Sequence, residues 1–307
     1  MTQRTPCSQR DGVLVLHKPG GLTSTDCLNR IKRRLGQKKI GHAGTLDPMA
    51  TGVLLVLLGQ ATKLATYVSA EQKTYRGCLI LGQESDTYDI QGQVRATRSW
   101  EALTPEAVAQ EVLAWKTHTS QEVPPVSAAK HQGKPLYALH RAGKETPVKI
   151  KEISIFDVEI LTLDLPQVCF RVTCSAGTYI RSLAHSLGIR LGCGAVLSEL
   201  EREASHPFTL AQAHSLDAVL EYPEQLDALV IPLDKALPHW PKIRLTAEQE
   251  TVIKHGGYLP VALFSDYPAQ DGDKALLLAS SQAPLALAEV KDRENILVWT
   301  ILRGLWA

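Results

Sequence analysis

The sequence predicts an α+β fold with a small mostly-β module at its C-terminal end. Short apolar runs of strand length recur along the chain, and several segments between them carry helix caps and helical spacing of apolar residues. Prolines at 232, 238 and 241 then interrupt the pattern before a last stretch of short strand-like runs. At 307 residues the chain has room for one large domain and one small one, on a scale of roughly 100–200 residues per domain.

The elements follow in order. Gly12-Val13-Leu14-Val15-Leu16 reads as a short buried strand, ended by Lys18-Pro19-Gly20-Gly21. Ser24 or Thr25 caps a helix through Leu35, and Gly36 supplies its stop. A glycine-flanked turn from Gly41 to Gly52 leads into the apolar run Val53-Leu54-Leu55-Val56-Leu57-Leu58. Ala61 to Ser69 reads as helical, and Lys73 to Leu81 alternates enough for a strand. Thr104-Pro105-Glu106 opens a helix to about Trp115, with a cap and then a proline in the first turn. Residues 120–146 are polar and basic, broken by Pro124-Pro125, Gly133 and Gly143, and loops this long are uncommon unless they serve a function. Three strand-like runs fill Val148 to Cys174. Thr178 to Leu191 is helical, with Ile180, Leu183, Ala184 and Leu187 on one stripe, and Gly194 to Leu200 reads as another strand. After the proline-marked linker, Arg244 to Trp306 gives a short helix and strands at Leu276 to Leu278, Leu285 to Val290 and Ile296 to Ile301. At roughly 65 residues this module sits near the lower limit for independent folding.

Composition narrows the classes. The chain is 44% hydrophobic and 21% charged, ordinary for a globular protein with a sizeable core. No apolar run approaches the roughly 20 residues that span a bilayer. Met1 to Arg10 lack the apolar core of a secretory signal, so the expectation is a cytoplasmic protein without a membrane partner. The cysteines at 7, 27, 78, 169, 174 and 193 form no Cys-x-x-Cys pair, and are expected to be mostly buried free thiols with no metal site. Cys169 and Cys174, five apart in a strand, should point to opposite faces.

The net charge of +1 hides an uneven distribution: residues 1–151 carry 21 Lys and Arg against 12 Asp and Glu, and residues 152–307 carry 12 against 20. One basic cluster is Arg30-Ile31-Lys32-Arg33-Arg34 with Lys38-Lys39. The other runs through Lys130, Lys134, Arg141, Lys144, Lys149 and Lys151. Such clusters suit a polyanion-binding face, because Lys and Arg release condensed counterions from phosphates, or else solvated helix faces. Both lie in the same half of the chain as the Gly41–Gly52 turn, which favours nucleic acid.

That turn, Gly41-His42-Ala43-Gly44-Thr45-Leu46-Asp47-Pro48-Met49-Ala50-Thr51-Gly52, holds one carboxylate at its tip. Pro48 biases Asp47 toward an extended backbone and fixes the next φ, so the chain is stiff at the acid. Two readings are open: a rigid loop on an apolar strand presenting a catalytic acid, or a surface turn whose Asp caps the residues after it. Rival motifs fail. Gly36 and Gly41 have phosphate-loop spacing, but His42-Ala43 follow in place of Lys-Ser/Thr, and no Gly-x-Gly-x-x-Gly follows a strand. A two-carboxylate glycosidase lacks a partner acid with a motif of its own, since Asp86 and Asp89 read as turn residues. A non-catalytic RNA-binding protein using the same basic face stays open.

Five elements in order resemble the TruB family of tRNA pseudouridine synthases, of bacterial type, over most of residues 11–205. Gly41 to Leu54 is similar to the family's catalytic loop, and Lys18-Pro19-Gly20-Gly21-Leu22-Thr23-Ser24 to its Lys-Pro-x-Gly-x-Thr/Ser-Ser signature. Lys73-Thr74-Tyr75 resembles the Lys-x-Tyr element, and Ser175-Ala176-Gly177-Thr178-Tyr179-Ile180-Arg181 the Ser-x-Gly-Thr-Tyr-Ile-Arg element. Ser127-Ala128-Ala129-Lys130, followed by Gly133, Leu136 and Tyr137, resembles the entry to an RNA-gripping insertion. Three positions depart from the pattern. His17 stands where many members have Asp, Ala176 replaces a commonly basic residue, and Glu201 follows Leu200 where an arginine is frequent.

The resemblance implies a pseudouridine-synthase fold, with a mixed, mostly antiparallel central sheet flanked by helices. It implies a catalytic domain over 1–235 with the insertion at 120–151, and a PUA-like module over 241–307. It implies an isomerase that converts uridine 55 in the T-loop of tRNA to pseudouridine, acting as a monomer on the T-arm. The reaction breaks the N1–C1′ bond, turns the base and rejoins it through C5, so no cofactor or metal is required. Asp47 would be the catalytic carboxylate, acting at C1′, at C6 or on the C2′ proton, with Arg181 as its ion partner. Tyr75 would stack on the uracil, Leu200 close the apolar side, Tyr179 support the pocket and His42 fill the stack that the flipped base vacates. Lys18, Lys63 and Lys130 would contact phosphate or the pocket.

Overall fold

The structure, a computed structural model, describes residues 9–127, 129–142, 144 and 146–306. The expectations for Met1 to Ser8, among them Cys7, and for Ala128 and Gly143 lie outside the described residues. The central sheet is built from β1 (Gly12–Lys18), β2 (Ile40–Ala43), β3 (Thr51–Leu58), β4 (Lys73–Leu81), β5 (Ile155–Asp164), β6 (Gln167–Cys174) and β7 (Ala195–Ser205). Its spatial order is β5-β6-β4-β7-β3-β1, with β2 added alongside β3 and short strands at His214–Ser215 and Val230–Ile231 beside β1. All these pairings are antiparallel except β7 with β3 and β1 with His214–Ser215, so the sheet is mixed and mostly antiparallel.

The apolar runs of β1 and β3 are continuous because both of their faces are covered. Leu14, Leu16, Leu54, Val56 and Leu58 face a core shared with Leu28 and Ile31 of α1 (Ser24–Leu35) and Leu183 and Leu187 of α2 (Ile180–Arg190). Their neighbours Val13, Val15, Val53, Leu55 and Leu57 face the other way and pack with Leu237, Leu276, Leu287 and Leu305. A second sheet of five strands, in the order Lys242–Arg244, Lys274–Leu278, Pro284–Arg293, Ile296–Gly304 and Leu259–Pro260, supplies part of that cover through Leu276 and Leu287, beside Ala61, Leu64 and Val68. Its alternate residues Leu277, Ala286 and Ala288 turn inward to a core of their own with Ile243, Ile253 and Trp299. The small module thus shares one layer with the main sheet, which compensates for its limited size.

Several local expectations are corrected. Thr23, not Ser24 or Thr25, caps α1: its side chain accepts from the Asp26 N–H, and Asp26 answers to the Thr23 backbone, a capping box. Ser24 is buried and faces the Asp47 loop. The stretch expected to be helical from Ala61 begins as 3-10 helix, Gly59–Leu64, before the α-helix Ala65–Ser69. Gly194 to Leu200 is the first half of an eleven-residue strand that continues through Arg202 to Ser205. The thiols are not all free: Cys78 and Cys169 stand opposite one another in the β4/β6 register and are joined as a disulfide, while Cys27, Cys174 and Cys193 are free and buried. Ninety-one residues separate that pair, so only strand pairing reveals it.

Candidate active site

The loop that carries Asp47 joins β2 to β3 and is tied down from four directions. Gly44 enters it at φ +85, a left-handed conformation open to glycine. The Ser24 hydroxyl on α1 accepts from the Leu46 N–H at 2.9 Å and donates to the Leu46 carbonyl at 3.1 Å. The Gly21 N–H donates to the Pro48 carbonyl at 2.8 Å. Arg202 on β7 clamps both ends, its Nε donating to the Val53 carbonyl at 2.6 Å and its Nη2 to the Gly44 carbonyl at 3.0 Å. The fourth tie is Lys18, which is fully buried and donates to the carbonyls of Pro19 at 2.7 Å, Leu22 at 2.7 Å and Pro48 at 3.2 Å. The expectation that Lys18 contacts phosphate or the pocket is therefore corrected: it does not line the cavity, its ammonium is spent on backbone carbonyls, and burial lowers its pKa. Gly52 closes the loop at φ +97, where a Cβ would run into the backbone of Arg202.

Arg181 reaches this loop from the first turn of α2. The peptide before it is gripped by Gln121, whose Oε1 accepts from the Tyr179 N–H at 2.6 Å and whose Nε2 donates to the Tyr179 carbonyl at 3.1 Å. The guanidinium is 4% exposed and faces Asp47 side-on, Nη2 donating to Oδ1 at 3.1 Å and Nε lying 2.9 Å from Oδ2. The Nε–H is not aligned with that second oxygen, so the contact is an ion pair rather than a second hydrogen bond. Nη1 donates to the Thr87 carbonyl at 2.8 Å, Nη2 also to the Val126 carbonyl at 3.0 Å, and Nη1 is 3.6 Å from Asp89 Oδ2. A buried guanidinium with its donors committed to fixed acceptors is a rigid partner for a carboxylate. Asp47 keeps 34% of its side chain exposed, on the cavity side.

The cavity in front of Asp47 measures about 460 Å³. Tyr75, Leu200 and Arg202 form one wall, Tyr179, Thr178 and Gly177 another, with Lys73, Ser127 and Lys151 nearby. Tyr75 is buried on β4, and burial raises the pKa of its hydroxyl while the Arg202 charge opposes the rise. Lys73 is buried on the same face, its ammonium donating to the carbonyls of Ser69 at 3.2 Å and Glu71 at 2.8 Å, and burial with help from Arg202 brings its pKa down to about 8. Cys174, buried next to Thr178, is pushed up to about 12.

The structure thus gathers Asp47, Tyr75, Tyr179, Arg181 and Leu200 around one cavity. His42 stands half-buried on β2, outside the cavity lining, with Nδ1 buried and unpartnered and its pKa lowered by burial and by Arg202. Lys63 lies away from the cavity and donates to the Trp306 carbonyl at 2.9 Å, tying the 3-10 helix after β3 to the residues just past the last strand. Lys130 has its backbone in a two-residue strand, Lys130–His131, and its side chain lies outside the described residues. Two of the departures meet: His17 Nε2 is 3.4 Å from Glu201 Oε1. Asp89, read as a turn residue, is buried and accepts from the Thr87 hydroxyl at 2.6 Å and the Gln91 N–H at 3.0 Å while facing Arg181. Arg202 and Gln121 were not singled out in the sequence. Alternation along β7 would have put Arg202 on the Leu200 face, whereas Gln121 carries no local signal.

The family model described as TruB family pseudouridylate synthase, N-terminal domain, matches residues 32–180, and that described as tRNA pseudouridylate synthase B C-terminal domain matches 181–238. The chain belongs to the TruB family. Relatives named tRNA pseudouridine synthase B include one from Nitratidesulfovibrio vulgaris strain Miyazaki F, 56% identical with 98% of each chain covered. One from Oleidesulfovibrio alaskensis is 57% identical with 97% of each covered, and one from Geobacillus thermodenitrificans is 37% identical over 92% of this chain and 95% of that protein. Among solved structures, a chain of the archaeal box H/ACA sRNP Nop10-Cbf5 complex superposes with a TM-score of 0.68 at 24% identity, covering 96% of this chain and 86% of that one. At that identity the likeness establishes the shared fold alone, and it spans the TruB-family sheet together with the C-terminal strands.

Proposed function

We propose that this chain isomerises uridine 55 in the T-loop of tRNA to pseudouridine, with Asp47 as the catalytic carboxylate. The observation that carries the reading is the Asp47–Arg181 pair at 2.9 and 3.1 Å, set at the edge of a cavity walled by Tyr75 and Leu200. Membership of the TruB family, and near full-length relatives named tRNA pseudouridine synthase B, supply the substrate class.

The target base sits within a folded RNA loop, so it must be extruded, at a cost of a few kcal/mol. The cavity of about 460 Å³ suits one nucleoside. Tyr75 offers a ring to stack against the uracil, Leu200 an apolar floor, and Tyr179 a second ring held in place through its gripped peptide. Asp47 meets the nucleoside with its charge balanced by Arg181 and its loop unable to recoil. It opens the glycosidic bond by attack at C1′ or C6 or by removing the C2′ proton. The base then turns, C5 joins C1′, and the C5 proton leaves as N1 regains one. His42, next to the catalytic loop on β2, is the candidate to occupy the vacated stack.

In this reading residues 1–235 form the catalytic domain, 120–151 grip the RNA with Lys130 among the cations, and 241–307 form a PUA-like module. The protein works in the cytoplasm as a monomer on the T-arm. Among the described residues no helix is long and apolar enough to cross a membrane.

Tritium release from tRNA carrying C5-labelled uridine tests the function. Wild type should release the label and Asp47→Asn should not, with tRNA binding kept. Binding without release by either chain would instead favour a non-catalytic RNA-binding role.

A further inference from the structure

We propose that Ser127 is a substrate-binding residue whose hydroxyl holds a carbonyl of the target uracil before and after the base turns. The inference rests on the uridine-isomerase reading and adds to it a polar contact for the base. Ser127 lines the cavity and is 6% exposed, and its Oγ is buried with no hydrogen-bond partner among the described residues. Thr178, the other buried serine or threonine of the lining, instead donates its hydroxyl to the Ser175 carbonyl at 2.9 Å. A buried hydroxyl without a partner costs the free chain stability, and a ligand that supplies the missing partner recovers that cost.

The backbone holds that hydroxyl close to the chemistry. Arg181 Nη2 donates both to Asp47 Oδ1 at 3.1 Å and to the Val126 carbonyl at 3.0 Å. One nitrogen therefore fixes the residue before Ser127 against the acid. Pro124 and Pro125 just ahead have restricted φ, so the segment has little freedom to swing away. Uracil carries carbonyls on both sides of its N3–H, and inside a cavity each needs a donor to replace lost water. The half-turn that brings C5 to the place of N1 runs about the N3–C6 axis, and it also exchanges the C2 and C4 carbonyls. A donor fixed beside one carbonyl in uridine thus stands beside the other in pseudouridine. A serine hydroxyl supplies that one donor and serves both without moving.

The experiment compares wild type with Ser127→Ala on synthetic T-arm RNAs carrying uridine, 2-thiouridine or 4-thiouridine at the target position. The isomerised nucleoside is read by chromatography under single-turnover conditions, beside RNA binding and thermal melting. Ser127→Ala removes no hydrogen bond of the free chain, so its melting temperature should match or exceed that of wild type. On uridine RNA its rate divided by Kd should fall about tenfold. Sulfur is a weaker acceptor than oxygen, so on at least one of the thio RNAs that factor should shrink to within about twofold. A tenfold loss kept on both thio RNAs would mean that the hydroxyl meets something other than a base carbonyl, and would overturn the proposal. So would an unchanged rate on uridine RNA, or a melting temperature that drops together with the rate, the mark of a structural role. Failure of the functional reading itself looks different, since wild type would then form no pseudouridine on uridine RNA.

Discussion

Arg181 and Lys73 show two uses of buried cations at one cavity. Arg181 faces Asp47 with its other donors held by the carbonyls of Thr87 and Val126, so replacing it with an apolar side chain leaves the acid unpaired without opening the RNA surface. Arg181→Met should lower the single-turnover rate by about a hundredfold or more, while Kd for tRNA changes by about threefold or less. Equal losses in rate and affinity, in a quench experiment beside filter binding, would remove Arg181 from the ion-pair role.

Lys73 makes a pH prediction. Folding lowers its pKa from 10.5 to about 8, so between those values the unfolded chain holds a proton that the folded chain has released. Stability therefore rises with pH across that window, and the full penalty of the buried charge is present below about pH 8. Measured against Lys73→Met by urea unfolding at pH 7 and then at rising pH, wild type should gain relative stability on the order of 3 kcal/mol toward the upper limit. A difference that is flat with pH would mean the ammonium is not penalised in the folded chain.

At the scale of elements, the Asp47 loop is a hairpin connection between β2 and β3 whose precision comes from its neighbours. Its own sequence supplies stiffness at Asp47-Pro48 and permissive backbone at Gly44 and Gly52. Its place is set by α1 through Ser24, by the buried ammonium of Lys18, and by β7 through Arg202. Ser24→Ala removes both partners of the Leu46 peptide and leaves them buried, which should cost about 1–3 kcal/mol. Denaturant unfolding gives that number, and the turnover rate should fall with it because Asp47 sits one residue away. Ser24→Ala at wild-type stability and rate would show that the loop holds itself.

At the scale of the whole molecule, β1 and β3 lie between two cores. Leu55 is fully buried on the side shared with Leu276 and Leu287 of the second sheet, so its truncation opens a cavity in the shared layer. Leu55→Ala should cost about 2–5 kcal/mol. It should also lower the thermal transition of the whole chain rather than expose a separate early melting of the C-terminal strands. Calorimetry showing only a small early transition would contradict the shared layer.

Much of this arrangement was legible in the chain. Asp47, Tyr75, Tyr179, Arg181 and Leu200 each sit in a short motif, and a short motif fixes a local backbone shape that one strand or turn delivers intact. The helices at Pro105–Leu113 and Ile180–Arg190 and the strands of the C-terminal module fell within a few residues of their expected places, because caps and apolar period are local properties. Lys18 was misread for the opposite reason: a lysine beside Pro-Gly-Gly looks solvated until Pro48, thirty residues on, folds back over it.

By itself, the sequence determined the longer strands and helices, though not the strand Ile40–Ala43 or the helices Leu136–Arg141 and Leu216–Glu221. It also determined that the Asp47 turn is stiff and which family pattern the chain resembles. These are consequences of backbone preference and spacing within some ten residues. Only the tertiary structure decided that Cys78 meets Cys169, that Lys18 is a loop clamp, that Asp89 faces Arg181, and that Arg202 clamps both ends of the loop. Those contacts bridge residues up to 158 apart, and the pairing of distant strands, which brings them within hydrogen-bond reach, depends on how whole faces are buried rather than on any local run of residues.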